Sequence, residues 1–221
     1  MPAASELCVI SMNRSIAVIG FWSALLAFLS IFSYCIVQLL QVGRIILFPL
    51  DEILIYGTSL LIVIPFLLAM VALHHVTPAG KRFYTHASLV FAILYAVFVT
   101  ANYVVQLATV VPMKMKGLDP GLLAQTPHSM FWDFDALGYI FMGITCFVLV
   151  PVFEKSGFQK WVRWSLLANA LVTPLISVVY FYPVYSENLL LLGYPWAITA
   201  PLSMLMLAVY FRKRENLGSV K

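Results

Sequence analysis

The sequence predicts an all-α fold, a bundle of six transmembrane helices that crosses a lipid bilayer with both termini in the cytoplasm. Three observations predict it: an excess of apolar residues, six long apolar segments and an uneven distribution of positive charge. Of the 221 residues, 62% are hydrophobic and 10% are charged, whereas soluble domains have about 45–50% apolar and about 25% charged residues. A soluble protein this apolar could not cover its surface with polar groups, so the excess must face lipid.

Six apolar segments divide the chain. They occupy residues 16–40, 53–73, 87–111, 134–153, 165–182 and 189–211. A transmembrane helix needs about 20 residues, whereas the strands of a membrane β-barrel alternate in polarity over about ten. The first segment is too long and too aromatic for a signal peptide, so we expect it to be retained as the first span. The connections are short, and we expect residues 1–221 to form a single transmembrane domain.

Positive charge is concentrated on one side of the predicted membrane. When the loops are assigned alternately to two faces, ten of the 13 Lys and Arg residues lie on the face with the termini, and Arg44, Lys114 and Lys116 lie on the other. Loops rich in Lys and Arg stay in the cytoplasm, so we expect both termini there. An odd number of spans would mix the two groups. The basic residues therefore reflect membrane topology and do not indicate a nucleic-acid partner.

Polar side chains inside the apolar segments are the first candidate functional residues, because such groups are costly in hydrocarbon and turn inward to partners. Asn102 and Gln106 share one face of the third predicted helix, and Asn169 and Tyr180 share one face of the fifth. We expect these faces to line a polar cavity that opens to the outside, where the amides bind a ligand. The alternative is that they only join neighbouring helices by hydrogen bonds.

Two acidic residues near the predicted start of the fourth helix are the second candidate. We expect Asp133 to cap the helix N-terminus and Asp135 to lie in its first turn, on one face with Tyr139. Asp135 should be partly buried near the outer membrane boundary, close to the third or fifth helix. It would supply the charge of a site for a proton, a cation or a basic ligand, although simple charge placement at a helix end is the alternative.

The sequence thus predicts a ligand site formed by six residues, with no cofactor, no metal ligands and no assigned catalytic residue. They are Asn102, Gln106, Asp135, Tyr139, Asn169 and Tyr180. The histidines at positions 74, 75 and 86 lie at predicted helix ends, where they suit the lipid headgroup region better than haem, whose axial ligands would lie within the spans.

Two other classes of function stay open at this point, so the sequence does not decide whether the protein is an enzyme. One is a membrane-embedded hydrolase or oxidoreductase that uses Asp133, Asp135 and His128. The other is a non-catalytic subunit of a membrane complex, or a homo-oligomer. The expected partners are therefore the bilayer, a small molecule or cation, and another membrane chain.

Part of the chain resembles a group of bacterial proteins. Residues 102–106 (Asn-Tyr-x-x-Gln) and the segment Trp-x-Phe-Asp-Ala-Leu-Gly-Tyr-x-x-Met-Gly at residues 132–143 resemble uncharacterised six-span bacterial membrane proteins of similar length. The resemblance implies a bacterial inner membrane and no particular activity. The size and topology are also similar to the substrate-binding subunits of vitamin-type import complexes, but no motif of that group is present, so the similarity is an analogy.

The charge distribution generates a testable topology. Reporter fusions at the C-terminus and within residues 117–125 should report opposite sides of the membrane, with the C-terminus in the cytoplasm. The readout is a pair of reporters of which one is active only inside the cell and the other only outside. If both fusion sites report the same side, the assignment is wrong.

Overall fold

The computed structural model describes residues 4–217, with the side chains of residues 14–186 and 188–215. Within that range the protein is built from helices and contains no strand, and six helices are long and apolar enough to cross a membrane. The predicted all-α, multi-pass fold is therefore confirmed. Lys221, one of the basic residues assigned to the face with the termini, lies outside the described residues.

Four of the six spanning helices are longer than the apolar segments that predicted them, and the fourth and sixth are about as long as theirs. The six helices are α1 (Ala4–Val42), α2 (Leu50–Val76), α3 (Arg82–Val105, continued by a π-helical turn at Gln106–Val110 and by Val111–Met115), α4 (Met130–Leu149), α5 (Gln159–Phe181) and α6 (Trp196–Leu217). Short helical turns at Ala79–Lys81, Gly121–Leu123, Val150–Val152, Glu187–Leu190 and Leu191–Gly193 occupy the connections. The extra length of the four longer helices arises because residues flanking the apolar segment continue its helix.

The six helices form a ring in sequence order. Each helix packs against its neighbours in the sequence, and α1 packs against α6, which closes the ring. The outer surface is apolar, as Leu61, Ile64 and Leu171 show with exposed fractions of 63%, 68% and 64%. Such a surface suits lipid. The polar side chains within the spans consequently meet inside the ring.

Helix α4 lies especially close to both of its neighbours, because it presents glycines at the contacts. A Cβ atom built on Gly138 would lie 2.6 Å from the Val99 Cγ2 atom of α3, and one built on Gly143 would overlap the Thr173 side chain of α5. Small residues allow transmembrane helices to approach closely in this way. The close packing brings side chains of α3 and α5 to the first two turns of α4.

Basic side chains cap helix ends at the end of the bundle where α2 and α4 finish, opposite the start of α4. Arg163 donates to the Val150 carbonyl at 3.0 Å, Lys81 donates to Val152 at 2.9 Å, and Arg214 donates to the Val76 carbonyl at the end of α2 at 2.7 Å. These carbonyls carry the partial negative charge of helix C-termini. Lys81 also donates to Glu154 at 2.5 Å, and this hydrogen bond, with the charge of Lys81, lowers the pKa of the Glu154 carboxyl.

The close packing of α4 predicts that Gly143→Ala destabilises the protein. The added methyl group would overlap Thr173, and overpacking costs about 1–3 kcal/mol, which corresponds to a fall of about 2–12 °C in the unfolding midpoint of a chain this long. The measurement is thermal unfolding in detergent followed by circular dichroism. Gly57→Ala is the matched control, since a Cβ atom there has no neighbour within 4 Å. Equal midpoints for the two variants would contradict the proposed packing.

Candidate functional site

The Asp135 carboxylate is buried between three helices. Its side chain is on α4, only 5% of the residue is exposed, and both carboxylate oxygens accept hydrogen bonds. The Tyr103 hydroxyl of α3 donates to Oδ1 at 2.5 Å, and the Tyr180 hydroxyl of α5 donates to Oδ2. Two donors on two acceptor oxygens suit a carboxylate. Asp135 was predicted to be partly buried close to the third or fifth span; it is buried, and its side chain contacts both spans.

The predicted roles at the start of α4 need a correction. The N-cap is Ser129, whose hydroxyl accepts from the Trp132 backbone N–H at 3.2 Å, so Asp133 is not the cap. Because the helix begins at Met130, Asp133 is an exposed residue of the first turn and Asp135 lies in the second turn. The acidic side chain that enters the bundle is thus one turn deeper than the sequence suggested.

Tyr180 is held in position by a neighbour on α4. The Trp132 indole N–H donates to the Tyr180 backbone carbonyl at 3.3 Å, near the C-terminal end of α5, where carbonyls lack intrahelical donors. The two rings also pack with centroids 4.5 Å apart. Tyr103 precedes the π-helical turn of α3, a type of irregularity that is common at functional sites. The two tyrosine donors therefore lie at defined points where helices end or change pitch.

A small cavity borders the Asp135 carboxylate. The space open to the centre of a water molecule is about 20 Å³, which is room for about one water. Its walls are mainly aromatic, and among the described lining residues Asp135 is the one charged side chain. The lining residues are Tyr34, Ser59, Ile62, Tyr95, Val99, Tyr103, Asp135, Gly138, Tyr139, Met142 and Trp196. We call this space the inner cavity. Its electrostatics favour a positively charged or hydrogen-bond-donating occupant.

Two tyrosines and a tryptophan form one wall of the inner cavity. The hydroxyl oxygens of Tyr34 on α1 and Tyr139 on α4 are 3.1 Å apart. Both rings meet Trp196 edge to face, with centroid distances of 5.8 Å for Tyr34 and 5.1 Å for Tyr139. Buried tyrosine and tryptophan use this geometry because ring edges are positive and ring faces negative.

A larger space lies on the other side of this wall, between α1, α5 and the start of α6. It offers about 100 Å³ to the centre of a water molecule. We call it the vestibule, and its lining is Gln38, Val42, Tyr139, Ile176, Val179, Tyr180, Leu190, Gly193, Tyr194, Trp196 and Ala197. The vestibule and the inner cavity share Tyr139 and Trp196.

Asn102 and Gln106 face the interior, as predicted, with exposed fractions of 0% each. Their hydrogen bonds, however, go to the loop between α3 and α4. Asn102 Nδ2 donates to Gln125 Oε1 at 3.0 Å, Gln106 Nε2 donates to the Leu123 carbonyl at 2.9 Å, and the Gln125 backbone N–H donates to Gln106 Oε1 at 3.1 Å. The Gln125 side chain also lies near the Asp135 carboxylate. The two amides thus fix a loop beside the site.

Asn169 lies apart from the other predicted site residues. It accepts from the Thr199 hydroxyl at 3.0 Å and donates to Cys146 Sγ at 3.4 Å, and so joins α5 to α6 and α4. This is the helix-joining role that the sequence left as the alternative. The structure consequently brings Asp135, Tyr139 and Tyr180 together, connects Asn102 and Gln106 to them through Gln125, and places Asn169 elsewhere.

The residues named for an enzymatic site are not gathered around Asp135. His128 and Asp133 are both exposed, and His128 occupies a left-handed backbone conformation with φ of 65°. In the part of the chain that the structure describes, no group of three or more His, Cys, Asp or Glu side chains could hold a metal ion.

Sequence reasoning did not include Tyr34, Tyr103 and Trp196 in the site. A signal was present, because a tyrosine hydroxyl inside an apolar span needs a hydrogen-bond partner. The prediction followed amides along one face of α3 and passed over Tyr103, whose side chain points about 100° away from that of Asn102. The tyrosine faces the interior nonetheless, since α3 contacts both α2 and α4.

The role of Gln106 predicts that Gln106→Met loosens the loop between α3 and α4. The substitution keeps the side-chain length but removes both hydrogen bonds, to Leu123 and from Gln125. The amide of Gln125 should therefore exchange with deuterium at least about tenfold faster, if each bond contributes about 1 kcal/mol. Hydrogen-exchange mass spectrometry on the detergent-solubilised protein measures this. Gln38→Met is the control, and equal exchange in both variants would refute the role.

Known proteins give no independent indication of the function. No family model matches the chain, and no curated protein or solved structure matches it. The function is therefore inferred from the geometry of the Asp135 site and from the six apolar helices of the bundle.

Proposed function

We propose that the protein binds a small monovalent cation at Asp135 inside the bundle and carries it across the membrane. One observation supports this most directly: Asp135 is a buried acidic residue that borders a cavity with no second charged residue among its described lining residues. Acidic residues within transmembrane segments usually mark pathways for ions, protons or substrates.

Charge balance is the physical reason to expect a cation. Burying an ionised carboxylate has an effective cost of several kcal/mol unless a positive charge compensates it. In the described part of the chain, no Lys, Arg or His forms an ion pair with Asp135, and the three ion pairs there involve other acids. The tyrosine hydroxyls supply hydrogen bonds but no charge. A bound cation or a proton would supply what the protein itself lacks.

The position of the site suits access from one side of the bundle. Asp135 lies one turn inside the end of α4 that follows the long loop, and the vestibule lies at the same end, beside the start of α6. If the termini are cytoplasmic, as the charge distribution predicts, this end faces outward. The proposal is then a cavity that takes up its ligand from outside.

The proposal predicts saturable cation binding that depends on Asp135. The purified protein in detergent is equilibrated with radiolabelled sodium, rubidium or methylammonium, and uptake of the same ions is followed in proteoliposomes. At least one of them should bind with about one site per chain, and Asp135→Asn should reduce the affinity at least about tenfold by removing the charge. Acidification should compete with binding, because a proton and a cation cannot both occupy the carboxylate.

The matched control is Asp133→Asn, an exposed acidic residue of the same helix. This variant should bind and transport like the unsubstituted protein. If none of the three ions binds, or if Asp135→Asn binds as well as Asp133→Asn, the proposed function is wrong.

A further inference from the structure

We propose that the natural ligand is an organic ammonium ion with an apolar body, whose charged group occupies the inner cavity at Asp135 and whose body occupies the vestibule. The inference rests on the proposed function and adds the chemical class of the ligand. The evidence for it is the set of residues that line the inner cavity and the position of the vestibule beside that cavity.

The walls suit an ammonium ion better than a divalent metal ion. Hard cations such as Ca²⁺ take six to eight oxygen ligands, and Mg²⁺ takes six. The inner cavity offers a single carboxylate, and the other side-chain oxygens of its lining are neutral hydroxyls of serine and tyrosine. Its other walls include aromatic rings, whose faces attract organic cations and which recognise substituted ammonium groups in other proteins. One negative charge with several aromatic rings therefore favours a soft, singly charged organic cation.

The two spaces suit two different parts of one ligand. The inner cavity, at about 20 Å³, has room for a group the size of a water molecule, which an ammonium group approximates. The vestibule, at about 100 Å³, approaches the size of an apolar cavity of about 150 Å³ that holds benzene. Its walls include Ile176, Val179 and Leu190, which suit an alkyl chain or a single ring.

Tyr139 and Trp196 lie where the two parts of such a ligand would join. Both residues line both spaces, so a ligand that fills both would lie against both side chains and would require this wall to open. Tyr180 connects the spaces in another way, because its ring lines the vestibule while its hydroxyl donates to Asp135. A ligand body in the vestibule would contact the residue that holds the carboxylate. Recognition of the apolar body and of the charge would thus share one side chain.

The test compares three probes on the full-length protein in detergent by competition binding. 2-Phenylethylamine carries both an ammonium group and an apolar body, methylammonium carries only the charge, and 2-phenylethanol is a neutral molecule of similar shape. 2-Phenylethylamine should bind at least about tenfold more tightly than methylammonium because it buries an apolar body. 2-Phenylethanol should not compete, and Asp135→Asn should lose 2-phenylethylamine binding.

The aromatic wall is tested by substitution of Trp196. Trp196→Leu should weaken 2-phenylethylamine binding about three- to thirtyfold, whereas Trp196→Phe, which keeps an aromatic face, should recover most of the loss. Trp161→Leu is the control, because Trp161 is 62% exposed at the other end of α5. If Trp196→Leu does not fold, as judged by circular dichroism, Tyr139→Leu provides the same comparison from the same wall.

The possible failures are distinguishable. If methylammonium or an alkali ion binds in an Asp135-dependent manner and 2-phenylethylamine binds no more tightly, the ligand class is wrong and the proposed function stands. Competition by 2-phenylethanol equal to that of the amine would also overturn the ligand class. If no cation binds in an Asp135-dependent manner, both proposals fail.

Discussion

Burial of the Asp135 carboxylate is the constraint on which the arrangement of α3, α4 and α5 depends. An acidic side chain in a low-dielectric interior costs several kcal/mol unless its oxygens have partners. The partners here come from two other helices, through the Tyr103 and Tyr180 hydroxyls. Both hydroxyls can reach the carboxylate only if α4 is close to α3 and α5, and the glycines at positions 138 and 143 allow that approach. The hydrogen bonds of the site therefore depend on the same close helix packing that the two glycines allow.

The two ends of the bundle differ in the partners of their charged side chains. At one end, Lys81, Arg163 and Arg214 bond to carbonyls at or just beyond the C-termini of α2 and α4, so each cation is used by the fold itself. At the other end, Asp135 has hydrogen bonds but no cationic partner in the described part of the chain. The first arrangement fixes helix ends to each other. The second leaves a negative charge beside a cavity, which is the property that a cation-binding site requires.

The sequence predicted the helices well because lipid imposes a strong and simple pattern of apolar residues. It predicted helix ends less well, since α4 begins at Met130, after its Ser129 cap and before the apolar segment predicted at residues 134–153. For the site, burial of Asp135 followed from its cost in hydrocarbon, but grouping residues by helix face was not sufficient. Asn169 and Tyr180 share a face of α5, yet eleven residues of helix separate them by about 16 Å. The hydrogen bonds that join Gln125 to Asn102 and Gln106 depend on the conformation of the loop, and helical periodicity does not predict that conformation.

The most direct test of the central claim is infrared difference spectroscopy on the protein in detergent. The carboxylate band of Asp135 is identified as the band that disappears in Asp135→Asn and persists in Asp133→Asn. If the buried carboxylate is the cation site, adding 2-phenylethylamine or methylammonium should shift this band, and the shift should saturate with binding. A band that stays unchanged while a cation binds elsewhere on the protein would contradict the account.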